Sequence, residues 1–254
     1  MMVVSKESQS FLDDVTVYLY SSGKKEEEIK EIVEELNDHL HEAEKNGKRV
    51  DDIIGMTPKE YMEQLANEMP FDLKGWLKYL PMIFIGVLAY AVMGDAIEGK
   101  VKYSLIECIG YPCILLFFLF SISMLLKYVS SHKVSRWKER VLFSGVAFII
   151  PTALYVLLQF LNQSYSTTIM IHLRESGNIV AIVLSALAFI GIAIWSRTWD
   201  AIILPAIILL PDVLLKQTGM AVSMKGMVSL MLSACGIGLY AFITMKRSKV
   251  KDMD

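Results

Sequence analysis

The chain has 254 residues, of which 54% are hydrophobic, above the roughly 45–50% of a soluble globular domain. Its net charge of −2 hides an asymmetry: residues 1–74 carry 18 acidic and 9 basic side chains, a net of −9, and the remainder 9 acidic and 16 basic, a net of +7. The acidic first part argues against direct nucleic-acid binding, which needs Lys and Arg against phosphate, and the apolar runs after residue 76 exclude a wholly soluble protein.

In the first part, Phe11, Leu12, Val15, Tyr18 and Leu19 recur at three- and four-residue spacing, which predicts an amphipathic helix over about Ser8 to Ser21. Ser22-Gly23 breaks it. Ile29, Ile32, Val33, Leu36, Leu40 and Ala43 form the stripe of a second helix, with Glu26, Glu27 and Glu28 in the first turn, where negative charge suits the helix dipole. Asn46-Gly47 stops it. Val50 to Ile54 is a short turn that adds Val50, Ile53 and Ile54 to a core. Thr57-Pro58-Lys59-Glu60 then opens a further helix with the residues of a capping box. Tyr61, Leu65, Ala66 and Met69 are its apolar face, and Pro70 closes it. A head this small buries little apolar area, so its isolated stability is marginal and it leans on the membrane part or on a partner.

These residues resemble the HAAS domain, a small helical module of Gram-positive bacterial membrane proteins. The resemblance covers about residues 8–70. It rests on Phe11-Leu12, on Glu34-Glu35-Leu36-Asn37-Asp38-His39-Leu40, on Glu44-Lys45-Asn46-Gly47, and on Gly55 with Pro58-Lys59-Glu60-Tyr61 and Leu65-Ala66. It departs at the turn, where Gly-x-Pro is usual and this chain has Gly55-Met56-Thr57-Pro58. The resemblance implies a signalling or regulatory module fused to several spans, often encoded beside PadR-type transcription regulators.

Six apolar segments follow: Leu77–Ile97, Ser104–Leu126, Val141–Leu161, Asn178–Trp195, Ala201–Leu215 and Met227–Met245. Each approaches the roughly 17–25 residues a span needs. The first starts too far along the chain for a secretory signal peptide. The fifth is short and holds Pro205 and Pro211, which predicts a kinked span or a re-entrant segment. With both ends inside, the inner flanks hold 12 Lys and Arg against 5 in the outer loops, as the positive-inside rule asks. Trp76, Tyr79, Trp137, Trp195 and Trp199 fall near span ends, where amphipathic rings anchor.

The expected fold is therefore all-α: an acidic cytoplasmic helical domain at 1–74, a bundle of about six transmembrane helices at 75–246, and a basic cytoplasmic tail at 247–254. Its surroundings are a lipid bilayer and a protein partner at the head, and a homo-oligomer is compatible with the sequence.

Candidate functional residues fall in two groups. Glu34, Glu35, Asp38, His39 and Glu42 on the second helix offer a docking surface for a partner, against the plainer reading of a solvated helix face. His39 and His41 are two apart and point differently, so no metal site is expected there. Asp95, Glu107 and Asp212 lie in or near spans, where a carboxylate is costly and often functional; the plainer reading puts them at the interface. Glu98 shares the position of Asp95 near Lys100 and Lys102. Cys108, Cys113 and Cys235 read as small buried hydrophobes without metal-ligand spacing. The chain has no zinc-protease, serine-hydrolase or Walker motif, so neither catalytic residues nor a cofactor is expected. The leading reading is a non-enzymatic regulatory protein. In it the head relays the state of the bundle through a two-state junction at Met69–Trp76, between Pro70 and Gly75. The alternative is a small transporter or accessory subunit using a proline-broken fifth span with Asp212.

Overall fold

The computed structural model describes residues 4–99, 101–132, 134–165, 169–216 and 218–251. Lys100 and Lys133 of the charge count, and residues 252–254 of the basic tail, lie outside them. The described chain is almost wholly helical and divides into two compact units, Met1–Leu80 with Ser104–Thr168, and Pro81–Tyr103 with Ile169–Asp254.

In the first unit, α1 (Lys6–Ser21), α2 (Glu26–Lys45), α3 (Val50–Ile54) and α4 (Pro58–Glu68) surround one core. Phe11, Leu12, Val15, Tyr18 and Leu19 are buried together with Ile29, Leu36, Leu40, Val50, Ile54, Met62, Ala66 and Met69. Three helix ends have an identifiable cause. Ser5 caps α1, its hydroxyl accepting from the Ser8 amide, and Glu44 reaches back from α2 to the Ser5 amide and the Ser8 hydroxyl. Thr57 and Glu60 form the expected capping box of α4. Gly55 ends α3 in the left-handed region, which glycine enters without a β-carbon clash.

The same unit contains α6 (Leu105–Ser131), α7 (Arg136–Ser144) and α8 (Ile150–Ser164). A π-helical turn, Gly145–Ile149, joins α7 to α8. Pro151 follows it and has no N–H to continue the ordinary ladder. α6 and α8 pack antiparallel: Tyr111 stacks on Tyr155, and a β-carbon on Gly110 would lie 2.3 Å from Leu158 Cδ1. Gly110 is thus what allows this close approach. α1 and α4 pack on α6.

The second unit holds most of α5 (Leu73–Glu98), and α9 (Glu175–Ser196), α10 (Asp200–Lys216) and α11 (Val222–Lys251), with a two-stranded ribbon of β1 (Lys102–Ser104) and β2 (Ile169–His172). Its small core joins Ala96, Val101 and Ala181, with Val92, Tyr103, Leu173 and Ile182 against them. The backbone of α11 continues into the basic tail as far as Lys251.

Among the described residues, five helical stretches are long and apolar enough to cross a membrane: Leu73–Glu98, Leu105–Ser131, Arg136–Ser164, Glu175–Ser196 and Met224–Lys246. The remaining expected span, the fifth segment, is α10, which has 17 residues. At 1.5 Å per residue it is about 25 Å long, short of a hydrocarbon core of about 30 Å.

Two expectations need correction. The fifth segment is not broken: α10 runs as one helix through Pro205 and Pro211. Pro205 is the sixth residue of the helix, and Ser233 of α11 donates to the Ile208 carbonyl, next to the Ile207 carbonyl that an amide at 211 would have bonded. The cysteines are not buried in the protein, for Cys108, Cys113 and Cys235 are all free and exposed on helix surfaces. In a bilayer such a surface meets lipid, which takes a small apolar thiol as readily as a core does.

Candidate functional site: the head junction and the intramembrane polar seams

The turn between α1 and α2 makes contacts on two sides. On one side, Ser123 of α6 donates its hydroxyl to the Ser21 carbonyl at 2.7 Å. One turn further along α6, the Lys127 ammonium sits 5.1 Å over the Tyr18 ring, a cation–π contact. Ser21 pairs with Ser123 and Tyr18 with Lys127, so α1 runs antiparallel to α6. α6 is 27 residues long, about 40 Å, and exceeds the hydrocarbon thickness by about 10 Å. Its last two turns can project beyond the hydrocarbon; Lys127 lies in them and Ser123 in the turn before.

On the other side the turn is strapped to the start of α5. Lys24 pairs with Phe71 as an isolated bridge. The Asp72 amide donates to the Gly23 carbonyl at 2.8 Å, and Lys24 Nζ donates to the Met69 carbonyl at 2.7 Å. Phe71 stacks on Trp76. Gly23 has φ +70, and a β-carbon there would lie 2.4 Å from Phe71 Cε2 and 2.8 Å from Trp76 Nε1. Only glycine satisfies both the backbone and the space. Asp72 accepts from the Gly75 amide at 2.9 Å, capping α5 in the manner of Asp at a helix start. The Met69–Trp76 junction named from the sequence is therefore a bonded joint. Its other half, Ser21–Lys24, and the cap by Asp72 were missed. An Asp three residues before Gly75, just ahead of an apolar run, was the available signal for the cap.

Glu34, Glu35, Asp38, His39 and Glu42 are all exposed on the face of α2 opposite Leu36 and Leu40. His39 Nε2 lies 3.7 Å from Glu35 Oε1 across one turn. Asp14 on α1 is held well above the usual carboxylate range, at about 6, first by partial burial and then by the charges of Asp13 and Glu139.

The three carboxylates singled out in or near spans have three separate settings. Asp95 accepts from the Tyr103 hydroxyl at 2.5 Å. Glu107 is buried as the third residue of a capping box with Ser104 at the start of α6, and Gln159 of α8 donates to it at 3.3 Å. The spacing Ser104-x-x-Glu107 is the sequence signature of that box. Asp212 accepts from the Ser229 hydroxyl of α11.

One turn along α11, Ser233 donates to the Ile208 carbonyl at 3.3 Å. Ile208 lies three residues before Pro211, where a proline disturbs the ladder, and a neighbouring serine supplies a donor there. Gly236 approaches Ile207 and Tyr240 donates to Asp200. These pairs run in opposite order along the two helices, so α10 and α11 are an antiparallel hairpin with a polar seam. Among the described residues, no group of three or more His, Cys, Asp or Glu is placed to hold a metal ion.

Residues 90–209 match the family model described as the HAAS transmembrane region. The match lies in the spans, whereas the resemblance read from the sequence lies in the head; together they are consistent with a HAAS-domain membrane protein. No curated protein and no solved structure gives a match. The chain is a multi-pass membrane protein in contact with the lipid bilayer.

Proposed function

We propose that this chain is a non-enzymatic regulatory protein of the cell membrane, with both termini cytoplasmic, and that its helical head docks a protein partner. The observation that carries the reading is the double attachment of the Ser21–Lys24 turn, to Ser123 of α6 and to the start of α5 at Met69–Asp72. A change in the spacing of these two helices has to move or release the turn, and with it α1 and α2. That is the two-state element a relay requires. The docking face is Glu34, Glu35, Asp38, His39 and Glu42, exposed and acidic, and its occupant is a basic surface of a cytoplasmic protein.

The proline-broken transport reading loses its motivation, because α10 is continuous and Asp212 has a hydrogen-bond partner in Ser229. The test of the regulatory reading is co-purification of the full chain from native membranes in mild detergent, beside a Glu34→Lys, Asp38→Lys variant and a chain lacking residues 1–72. A partner held by the full chain and lost from both variants supports head docking. The same partners on all three would move the function into the bundle and sink this reading.

A further inference from the structure

Large apolar side chains left on the surface of a water-soluble domain are normally scattered. In the head they are gathered. Among the described residues ahead of Trp76, five large hydrophobic side chains are exposed: Val17, Tyr20, Met56, Phe71 and Leu73. Four of these share one pole. Val17 and Tyr20 lie three apart near the end of α1. Phe71 and Leu73 flank Asp72, whose amide bonds the Gly23 carbonyl just past that end. Tyr20 is 45% and Phe71 50% exposed. Met56 stands instead at the start of α4, a helix of 11 residues whose other end leads to this pole, so about 16 Å separate the two.

The contact with α6 sets the depth of the pole. Ser123, which donates to the Ser21 carbonyl, lies about 27 Å along α6 from Leu105, inside a hydrocarbon core of about 30 Å. No charged side chain falls on α6 between Glu107 and Lys127. Lys127, one turn after Ser123, sits over Tyr18. The end of α1 therefore meets α6 where hydrocarbon gives way to headgroups. α5 marks the same level independently. Leu73 opens that helix, and Trp76 and Tyr79 in its first two turns are rings of the kind that anchor at the interface.

A surface entering this layer has to limit its bare charge. In the first turn of α2, Glu26 is paired with Lys30 at 2.6 Å and Glu28 with Lys25 at 2.8 Å. Asp72 caps the Gly75 amide, and Lys24 holds the Met69 carbonyl. The rest of α2 runs back from this pole, because Glu44 at its end bonds Ser5 and Ser8 at the start of α1.

We infer that the head is seated in the bilayer: Val17, Tyr20, Phe71 and Leu73 enter the headgroup layer on the head's side of the membrane, and the occupant of this apolar surface is lipid. Tyr20 suits the position, with an apolar ring for the acyl boundary and a hydroxyl for the phosphates. The acidic face of α2 stays in water. The inference rests on the membrane spans and not on the docking of a partner.

The test places a nitroxide on the full chain in phosphatidylcholine nanodiscs, with Cys108, Cys113 and Cys235 replaced by Ala, at Tyr20→Cys and separately at Met56→Cys. Collision is measured with oxygen, which concentrates in lipid, and with a nickel chelate, which stays in water. The ratio of oxygen to nickel accessibility should be several-fold higher at position 20 than at position 56. A second arm leaves the chain unsubstituted, so that no label disturbs α1. Discs containing a phosphatidylcholine with a photoreactive diazirine beside its phosphate are irradiated, and the adducts are located by mass spectrometry. Adducts should form on Val17 or Tyr20 as well as on α5, and not on Met56. A tip that is free in water, or that waits for a protein, leaves position 20 as open to nickel as position 56 and confines the adducts to the spans. Either result would overturn the inference.

Discussion

Ser123 Oγ donates to the Ser21 carbonyl at 2.7 Å, across 102 positions of sequence. This bond ties the end of the first head helix to the second span. Ser123→Ala should remove about 1 kcal/mol from the attachment. The local readout is hydrogen exchange at Ser22, Gly23 and Lys24, whose amides close the turn onto Tyr18, Tyr20 and Leu19. They should exchange several-fold faster, and Ser123→Thr should restore protection. Unchanged exchange in the alanine variant would show that the turn is held by Tyr18–Lys127 and α5 alone.

Gly23→Ala should be among the more damaging single changes in the head. It forces a β-carbon into the left-handed region, at about 1 kcal/mol, and against Phe71 and Trp76. Thermal unfolding should shift down by several degrees, with Trp76 moved to a wetter environment. Combining it with Phe71→Ala removes the nearer clash and should give less than the sum of the two losses. Strict additivity would mean the clash is absorbed elsewhere.

Asp14 sets a pH dependence. Its carboxyl is raised from 3.8 to about 6, by burial first and then by Asp13 and Glu139. The native state therefore holds this proton to a higher pH than the unfolded chain does. Stability from this group is fully present below the unfolded value and falls as pH rises towards about 6. Asp14→Asn should flatten the unfolding temperature over that window, and Glu139→Gln should reduce the slope in part. A slope of the same size in Asp14→Asn would place its origin in another group.

Asn37 is buried in the head with its Oδ1 unpaired. Asn37→Leu keeps the fork at Cγ and removes an unsatisfied acceptor, so it should raise head stability by about 1 kcal/mol. A lower melting temperature would indicate that Asn37 has a partner in solution.

The Asp212–Ser229 pair should couple weakly. Interhelical hydrogen bonds in membranes average about 0.6 kcal/mol in double-mutant cycles. A cycle of Asp212→Asn and Ser229→Ala in mild detergent should return about that value. A coupling near zero would leave the hairpin to the Gly236–Ile207 approach and the Ser233–Ile208 bond.

What the sequence determined by itself was the set of elements. Apolar stripes at helical spacing marked α1, α2 and α4, the Thr57–Glu60 box marked the start of α4, and length with composition marked six apolar segments, five of which are long helices and the other the shorter α10. Those signals are local, arising from the helical period, from caps and from the thickness of a bilayer. Tertiary structure decided the rest. Pro205 and Pro211 looked like breaks, yet α10 stays whole, and Ser233 of α11 donates to the Ile208 carbonyl in the turn before Pro211. Glu107 was placed at a span end with no partner named, and Ser104 with Gln159 from a neighbouring helix completes its setting. The Ser21–Ser123 bond and the fit of Gly23 under Phe71 and Trp76 join residues distant in sequence. No periodicity records such pairs, because they depend on which helix faces meet and at what register.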